Sequence, residues 1–268
     1  MRPTSIFAGM LFFLALALLA GQLAARPAAQ GAAIGPVAQI HPPPDSYVFP
    51  GGQAFVYDAE WRLWNAGTAR ISLDQVGGNG RVFATAESSG FVNVLYPVHD
   101  RFQSSFDRRT FCSLSLTKHS EEGFRARETL IAFNYAQHKS ILDETNLKNG
   151  EKKHVDNDIP GCVTDVLSGI FYVGSQPLTP DAVYTFPLND GGNTVEVRAR
   201  VEGREQVKTP AGSFATVRVA PEALSGPLKS KGRIWIWYTD DARHIPVQMR
   251  ARMFWGTLTF HLVRIEKK

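Results

Sequence analysis

The sequence predicts a mainly antiparallel, all-β fold: one curved sheet rolled into a barrel or half-barrel, with a single short helix packed against it. A β-sandwich is the alternative. Three observations predict this. From Gln53 onward, apolar and polar residues alternate with the period of half-buried strands. Short breaks rich in Gly, Asn and Asp separate the alternating runs, as hairpin turns do. Only the stretch after Asp165 carries apolar residues at helical spacing. A flat sheet of about a dozen strands would expose long edges, and curling shortens or removes them.

The chain of 268 residues opens with Arg2, the uncharged run Ile6–Ala20 and the small residues Gly21, Ala24 and Ala25. That order is read as an export signal, with cleavage expected near Ala25. The apolar run is shorter than the ~20 residues of a comfortable membrane span, although an uncleaved anchor is the competing reading. No cysteine lies near the signal's end, so no lipid anchor is expected there. Residues 26–50 are rich in Ala, Gly and Pro, with Pro42, Pro43 and Pro44 in a row, and read as a flexible linker. Residues 51–268 then form one β-rich domain.

The first strand places Phe55, Tyr57, Ala59, Trp61 and Leu63 on one face and Asp58, Glu60 and Arg62 on the other. Ala69, Ile71 and Leu73 alternate likewise with Arg70, Ser72 and Asp74, and RVFATAES completes a meander. Further strands are expected over 99–106, 112–118, 124–135 and 137–143, and the polar stretch Asn146–Asp158 reads as an exposed loop. The helix is expected over 165–173, capped by Thr164 or Asp165. Val166, Leu167, Ile170, Phe171 and Val173 would form its apolar face, and Gly174 would stop it. Strands resume at Val195–Val201. In RIWIWYTDD, Ile234, Ile236 and Tyr238 oppose Trp235 and Trp237, the pattern of a strand covered on both sides. Val247, Met249, Ala251, Met253 and Trp255 then oppose Gln248, Arg250 and Arg252.

Several segments in this order resemble a family of exported bacterial proteins, the domain-of-unknown-function 3108 family. They are EWRLWNAGTARISL, FDRRTF, EGFRARETLIAFNY, DVLSGIFYV, the Gly-Arg-Glu-x-Val-x-Thr-Pro-x-Gly-x-Phe run at Gly203–Phe214 and the Trp-x-x-Asp-Asp run at Trp237–Asp241. The resemblance covers nearly all of 50–266. It implies a signal peptide, a Gram-negative envelope location and a largely β fold. It implies no established activity, so no catalytic residue is carried over.

The residues themselves argue against most chemistry. The net charge is +4, or +3 without Arg2, and the basic residues are scattered among acids, so nucleic acid is not an expected partner. There is no G-x-S-x-G elbow, and Ser168 and Ser213 have no neighbouring His. The seven histidines (His41, His99, His119, His138, His154, His244, His261) form no metal-binding spacing, and no metal or cofactor is expected. Asp240 and Asp241 suit a turn better than acid–base work, because neighbours on a strand point to opposite faces. Cys112 and Cys162 would sit in an oxidising compartment, where a disulfide closing about 50 residues is worth roughly 4 kcal/mol.

The aromatic strands leave one functional expectation. Trp61, Phe171, Trp235, Trp237, Met249 and Trp255 are read as candidates to line an apolar recess inside the curled sheet, with the helix at or over its mouth. The function expected is that of a non-enzymatic periplasmic binding or envelope-maintenance factor. Its partner would be a lipid-like small molecule or an envelope protein, with no membrane span after signal cleavage. The alternatives are a hydrolase without a recognisable motif and a structural partner that docks by a sheet edge.

Overall fold

The computed structural model describes residues 38–62, 64–225, 232–253 and 256–267. The expected signal at 1–25 and residues 26–37 of the expected linker lie outside these residues. The first half is a meander: β1 (Gln53–Trp61), β2 (Trp64–Val76), β3 (Asn79–Ser88), helix α1 (Gly90–Leu95), β4 (Val98–Asp107), β5 (Ser113–Glu122), β6 (Arg125–Asn134), β7 (Lys139–Asn146) and β8 (Lys152–Asp158). Helix α2 (Val166–Ser175) leads into a second meander: β9 (Val183–Asn189), β10 (Thr194–Thr209), β11 (Gly212–Ala223), β12 (Gly232–Thr239), β13 (Pro246–Met253) and β14 (Gly256–Lys267).

These strands form one antiparallel sheet in the order β8-β7-β6-β5-β4-β3-β2-β1-β14-β13-β12-β11-β10-β9. Every pairing joins chain neighbours except β1 with β14, where Gln53 lies opposite Lys267 and Trp61 opposite Leu258. The sheet is not closed by strand pairing: it is a half-barrel with edges at β8 and β9, and the sandwich alternative does not apply. A bulge shifts the β1–β2 register between Ala59 and Glu60, with Ala66 of β2 left over between Gly67 and Asn65. Gly67 sits opposite Ala59 at φ +154°, where a Cβ would lie 2.0 Å from the Glu87 carbonyl oxygen.

Helix α2 lies inside the curl. Its residues Leu167 to Ser175 are all buried, and it packs against β4 and β9. The Tyr238 hydroxyl on β12 donates to the Ile170 carbonyl at 2.7 Å. Strands so far apart in the sheet reach one helix only because the sheet wraps round it. The aromatic rings of Phe106, Phe111, Tyr172 and Phe186 run across this interior at centroid spacings of 5.0, 6.0 and 4.8 Å.

Four local expectations need correction. Gly174 does not stop α2, which runs on to Ser175; the glycine is there for space, since a Cβ would come within 3.0 Å of the Tyr238 ring. Residues 146–158 are not one loop, because Lys152–Asp158 pairs with β7 as an edge strand. Its residues are mostly exposed on both faces, so no apolar alternation marks it. Helix α1 is additional, and it is too short to show a helical period. Finally, residues 38–50 are not all free linker: Ile40, Tyr47 and Phe49 pack on the core, and Val48 N–H donates to the Ala242 carbonyl at 2.8 Å.

Candidate functional site

The strand register assigns each aromatic side chain to a face. Ala59, Phe260, Met249 and Ile236 lie side by side across β1, β14, β13 and β12, and all are buried on the inner face. The next row, Glu60, Thr259, Arg250 and Trp235, lies on the outer face, as does Asp58, His261, Gln248 and Trp237 two residues further along. The six residues expected to line one recess are therefore divided. Phe171 and Met249 are buried inside, and Trp61, opposite Leu258, packs partly buried against the same core. Trp235 and Trp237 are outside, because alternation along β12 sends them away from Ile236. Trp255 lies outside the described residues. The space assigned to the recess is occupied by α2 itself.

The outer face instead carries an open cleft of about 520 Å³ lined by Glu60, Arg62, Trp235, Arg250, Arg252, Thr257 and Thr259. Three guanidinium groups and one indole thus surround two threonines, against a single carboxylate. The Arg250 guanidinium also lies 5.3 Å from the centre of the Trp237 ring, a cation–π contact that holds it along the wall. Trp237 is fixed in turn by its indole N–H, which donates to Glu205 at 2.9 Å. In the sequence these residues read only as the polar face of separate strands; the register brings them together.

A second concavity of about 260 Å³ lies at the C-terminal end of α2, beside Tyr47, Gln176, Asp240, Asp241 and His244. Its acids serve the turn. Asp240 accepts from Arg204 at 2.8 Å, and Asp241 accepts from Thr239 Oγ1 at 2.8 Å and from Arg243 N–H at 3.0 Å. Partial burial works against the Asp241 carboxylate, yet the hydrogen bonds from Arg243 and Thr239 hold it below the usual carboxylate range.

Two buried polar clusters stand on the inner face. Asp165 caps α2 with its carboxylate: Oδ1 accepts from Leu167 and Ser168 N–H, while Oδ2 accepts from the Ser104 and Ser113 hydroxyls at 2.5 and 2.6 Å. Ser168 is therefore a capping residue. The adjacent disulfide joins Cys112, immediately before β5, to Cys162, three residues before Asp165, with the Cα atoms 5.0 Å apart. The other cluster is Asp100 and Glu122, buried on β4 and β5, with Lys118 beside Glu122 on the same face. Burial raises both carboxyls and lowers Lys118; Glu122 raises Asp100 further by its charge. Nothing in the periodicity marked Asp100 or Glu122, since each occupies a position an apolar residue would fill.

A half-barrel wrapped round a buried helix, with an open cleft on the outside of the sheet, defines a β-barrel-like protein. The chain belongs to a family of proteins of unknown function (DUF3108), whose model matches residues 56–263. No curated protein matches it. Among solved structures it is similar to a β-barrel-like protein of the family DUF1849 from Brucella abortus, at 8% identity and a TM-score of 0.57, covering 86% of this chain and 100% of that one. That likeness supports the fold. A protein of Bacteroides fragilis described as exported with a YmcC-like fold aligns at 11% identity and a TM-score of 0.33, covering 86% of this chain and 100% of that one. No helix among the described residues is long and apolar enough to cross a membrane.

Proposed function

We propose that this is an exported, non-enzymatic binding protein of the bacterial envelope, and that its ligand is a small anionic amphiphile held in the outer cleft. The observation that carries the reading is the placement of Arg62, Arg250 and Arg252 with Trp235 round Thr257 and Thr259. Guanidinium groups recognise phosphate or carboxylate oxygens through paired N–H donors, and the indole offers an apolar wall for an attached chain or ring. Three guanidinium groups against the single Glu60 carboxylate support an anionic ligand over a cationic one. Export rests on Arg2, the apolar run Ile6–Ala20 and the small residues to Ala25. Calorimetric titration with octyl phosphate, against octanol as the uncharged control, tests the reading. Saturable one-site binding of the phosphate alone is expected, weakened about tenfold by Arg250→Gln or Arg252→Gln. Equal binding of octanol, or indifference to both substitutions, would overturn it.

A further inference from the structure

We infer that the rim of the half-barrel formed by α1 and the β1–β2, β5–β6 and β7–β8 turns docks on an anionic lipid bilayer surface. The three exposed aromatic side chains among the described residues, Trp64, Phe91 and Phe124, all stand on this rim. Phe124 is 92% exposed at the β5–β6 turn, and Val94 on α1 is 78% exposed. Leu95 and Leu147 add to the set. At the opposite rim the β4–β5, β6–β7 and β12–β13 turns present Arg108, Arg109, Gln137 and Arg243, and the exposed large apolar residues at that end, Val48, Val76, Val183 and Ile265, are all aliphatic.

Hydrogen bonds tie the tips into one continuous edge. Ser89 Oγ donates to Asn65 Oδ1 at 2.9 Å, joining α1 to the start of β2. Gly123 N–H donates to the Pro97 carbonyl at 2.8 Å, and Leu147 N–H to the Ala126 carbonyl at 2.9 Å. The arc from β2 to β7 crosses six adjacent strands, so at the usual strand spacing it is about 24 Å long.

The chemistry of this edge fits a bilayer interface. Its apolar groups project from two turns, the start of β2 and the short helix α1. A lipid interface accepts such scattered, shallow insertions, and aromatic rings settle at headgroup depth. Exposed Arg62, Arg125, Lys148, Lys152, Arg233 and Arg252 lie at the same end of the strands, against Glu87, Glu121, Glu151 and Glu222. That excess of cations favours an anionic leaflet. The edge stands on different residues from the cleft, apart from Arg62 and Arg252, which border both.

Co-sedimentation of the mature protein with phosphatidylcholine vesicles, with and without phosphatidylglycerol, tests the inference. Binding is expected only where phosphatidylglycerol is present. Phe91→Ser with Phe124→Ser should weaken it about tenfold or more, given the apolar area withdrawn. Lys148→Glu with Lys152→Glu should weaken it in proportion to the anionic lipid. Val76→Ser on the far rim and Arg250→Gln in the cleft should leave vesicle binding unchanged, so loss of the cleft ligand and loss of docking are separate results. All these positions are exposed except Arg250, and circular dichroism checks the folding of each variant. No sedimentation with the anionic vesicles, equal binding to neutral ones, or rim variants that change only self-association would overturn the inference.

Discussion

Asp100 on β4 and Glu122 on β5 are buried on one inner face of the sheet, with Asp100 Oδ2 and Glu122 Oε1 sealed from solvent and without a hydrogen-bond partner. Burial and the neighbouring Glu122 both favour the neutral acid at Asp100, so the pair is buried with a proton retained on Asp100.

The first prediction follows from that proton. Burial, reinforced by Glu122, pushes Asp100 up to about 9, and burial likewise raises Glu122. Lys118, Arg125 and Arg127 favour ionisation of Glu122, while Glu121 opposes that of Asp100. A folded state that binds the proton more tightly than the unfolded chain loses stability as pH rises from the ordinary carboxylate range towards about 9. Asp100→Asn keeps a donor towards Glu122 without the titration. Its stability relative to the native protein should grow between about pH 5 and pH 8, by at most about 1.4 kcal/mol per pH unit. Parallel melting curves across that range check it, and a constant difference would show that Asp100 does not hold the proton.

The second prediction concerns the disulfide. Cys112 and Cys162 close a loop of 50 residues. Thiol titration of the unfolded, unreduced protein should find no free thiol. Cys112→Ser with Cys162→Ser should cost about 4 kcal/mol in chemical denaturation, with the β-rich spectrum retained.

The third concerns the cap of α2. Asp165→Ala removes an N-cap worth about 1 kcal/mol and strands the Ser104 hydroxyl, at about 1–3 kcal/mol, while Ser113 keeps the Asp165 N–H and the Ser168 hydroxyl. A total loss of about 2–4 kcal/mol is expected in urea denaturation. Asp165→Asn should cost less, since the Ser104 hydroxyl can turn to accept from its amide.

The fourth concerns the segment before β1. Tyr47 is set against Phe111 at a centroid distance of 6.5 Å, and Phe49 against Phe106 at 6.1 Å. Tyr47→Ala or Phe49→Ala should each destabilise by about 2–3 kcal/mol, less than a full core truncation because both rings are only partly buried. Values near zero would return this segment to the role of a linker.

The parts of this fold that were legible in the sequence are those that follow from local period. Phe55, Tyr57 and Ala59 against Asp58 and Glu60 declare β1, and Asp165 before Val166 declares the start of α2. What was hidden depends on neighbours across strands. Strand β8 carries no apolar alternation because it is an edge with little to bury. Trp235 and Trp237 look like inner-face core until register sets them on the outer face beside Arg250 and Gln248, where Trp237 is buried and Trp235 half-buried. The cleft joins residues from β1, β12, β13 and β14, three of them near the chain's end and one near its start, so no spacing could reveal it. Phe124 was taken as part of a strand, yet it sits at the turn where its ring meets solvent.

The pairing of β1 with β14 has a kinetic consequence. Every other seam of the sheet joins segments close in sequence and can form as soon as a hairpin is complete. The seam at the sheet's centre must wait for the final strand, and closing so long a stretch of chain delays the folding transition. Two separate meanders, each with an unpaired border at β1 or β14, exist until then. For a polypeptide threaded through a translocation channel from its amino end, that delay keeps the native sheet from assembling before the last strand has crossed.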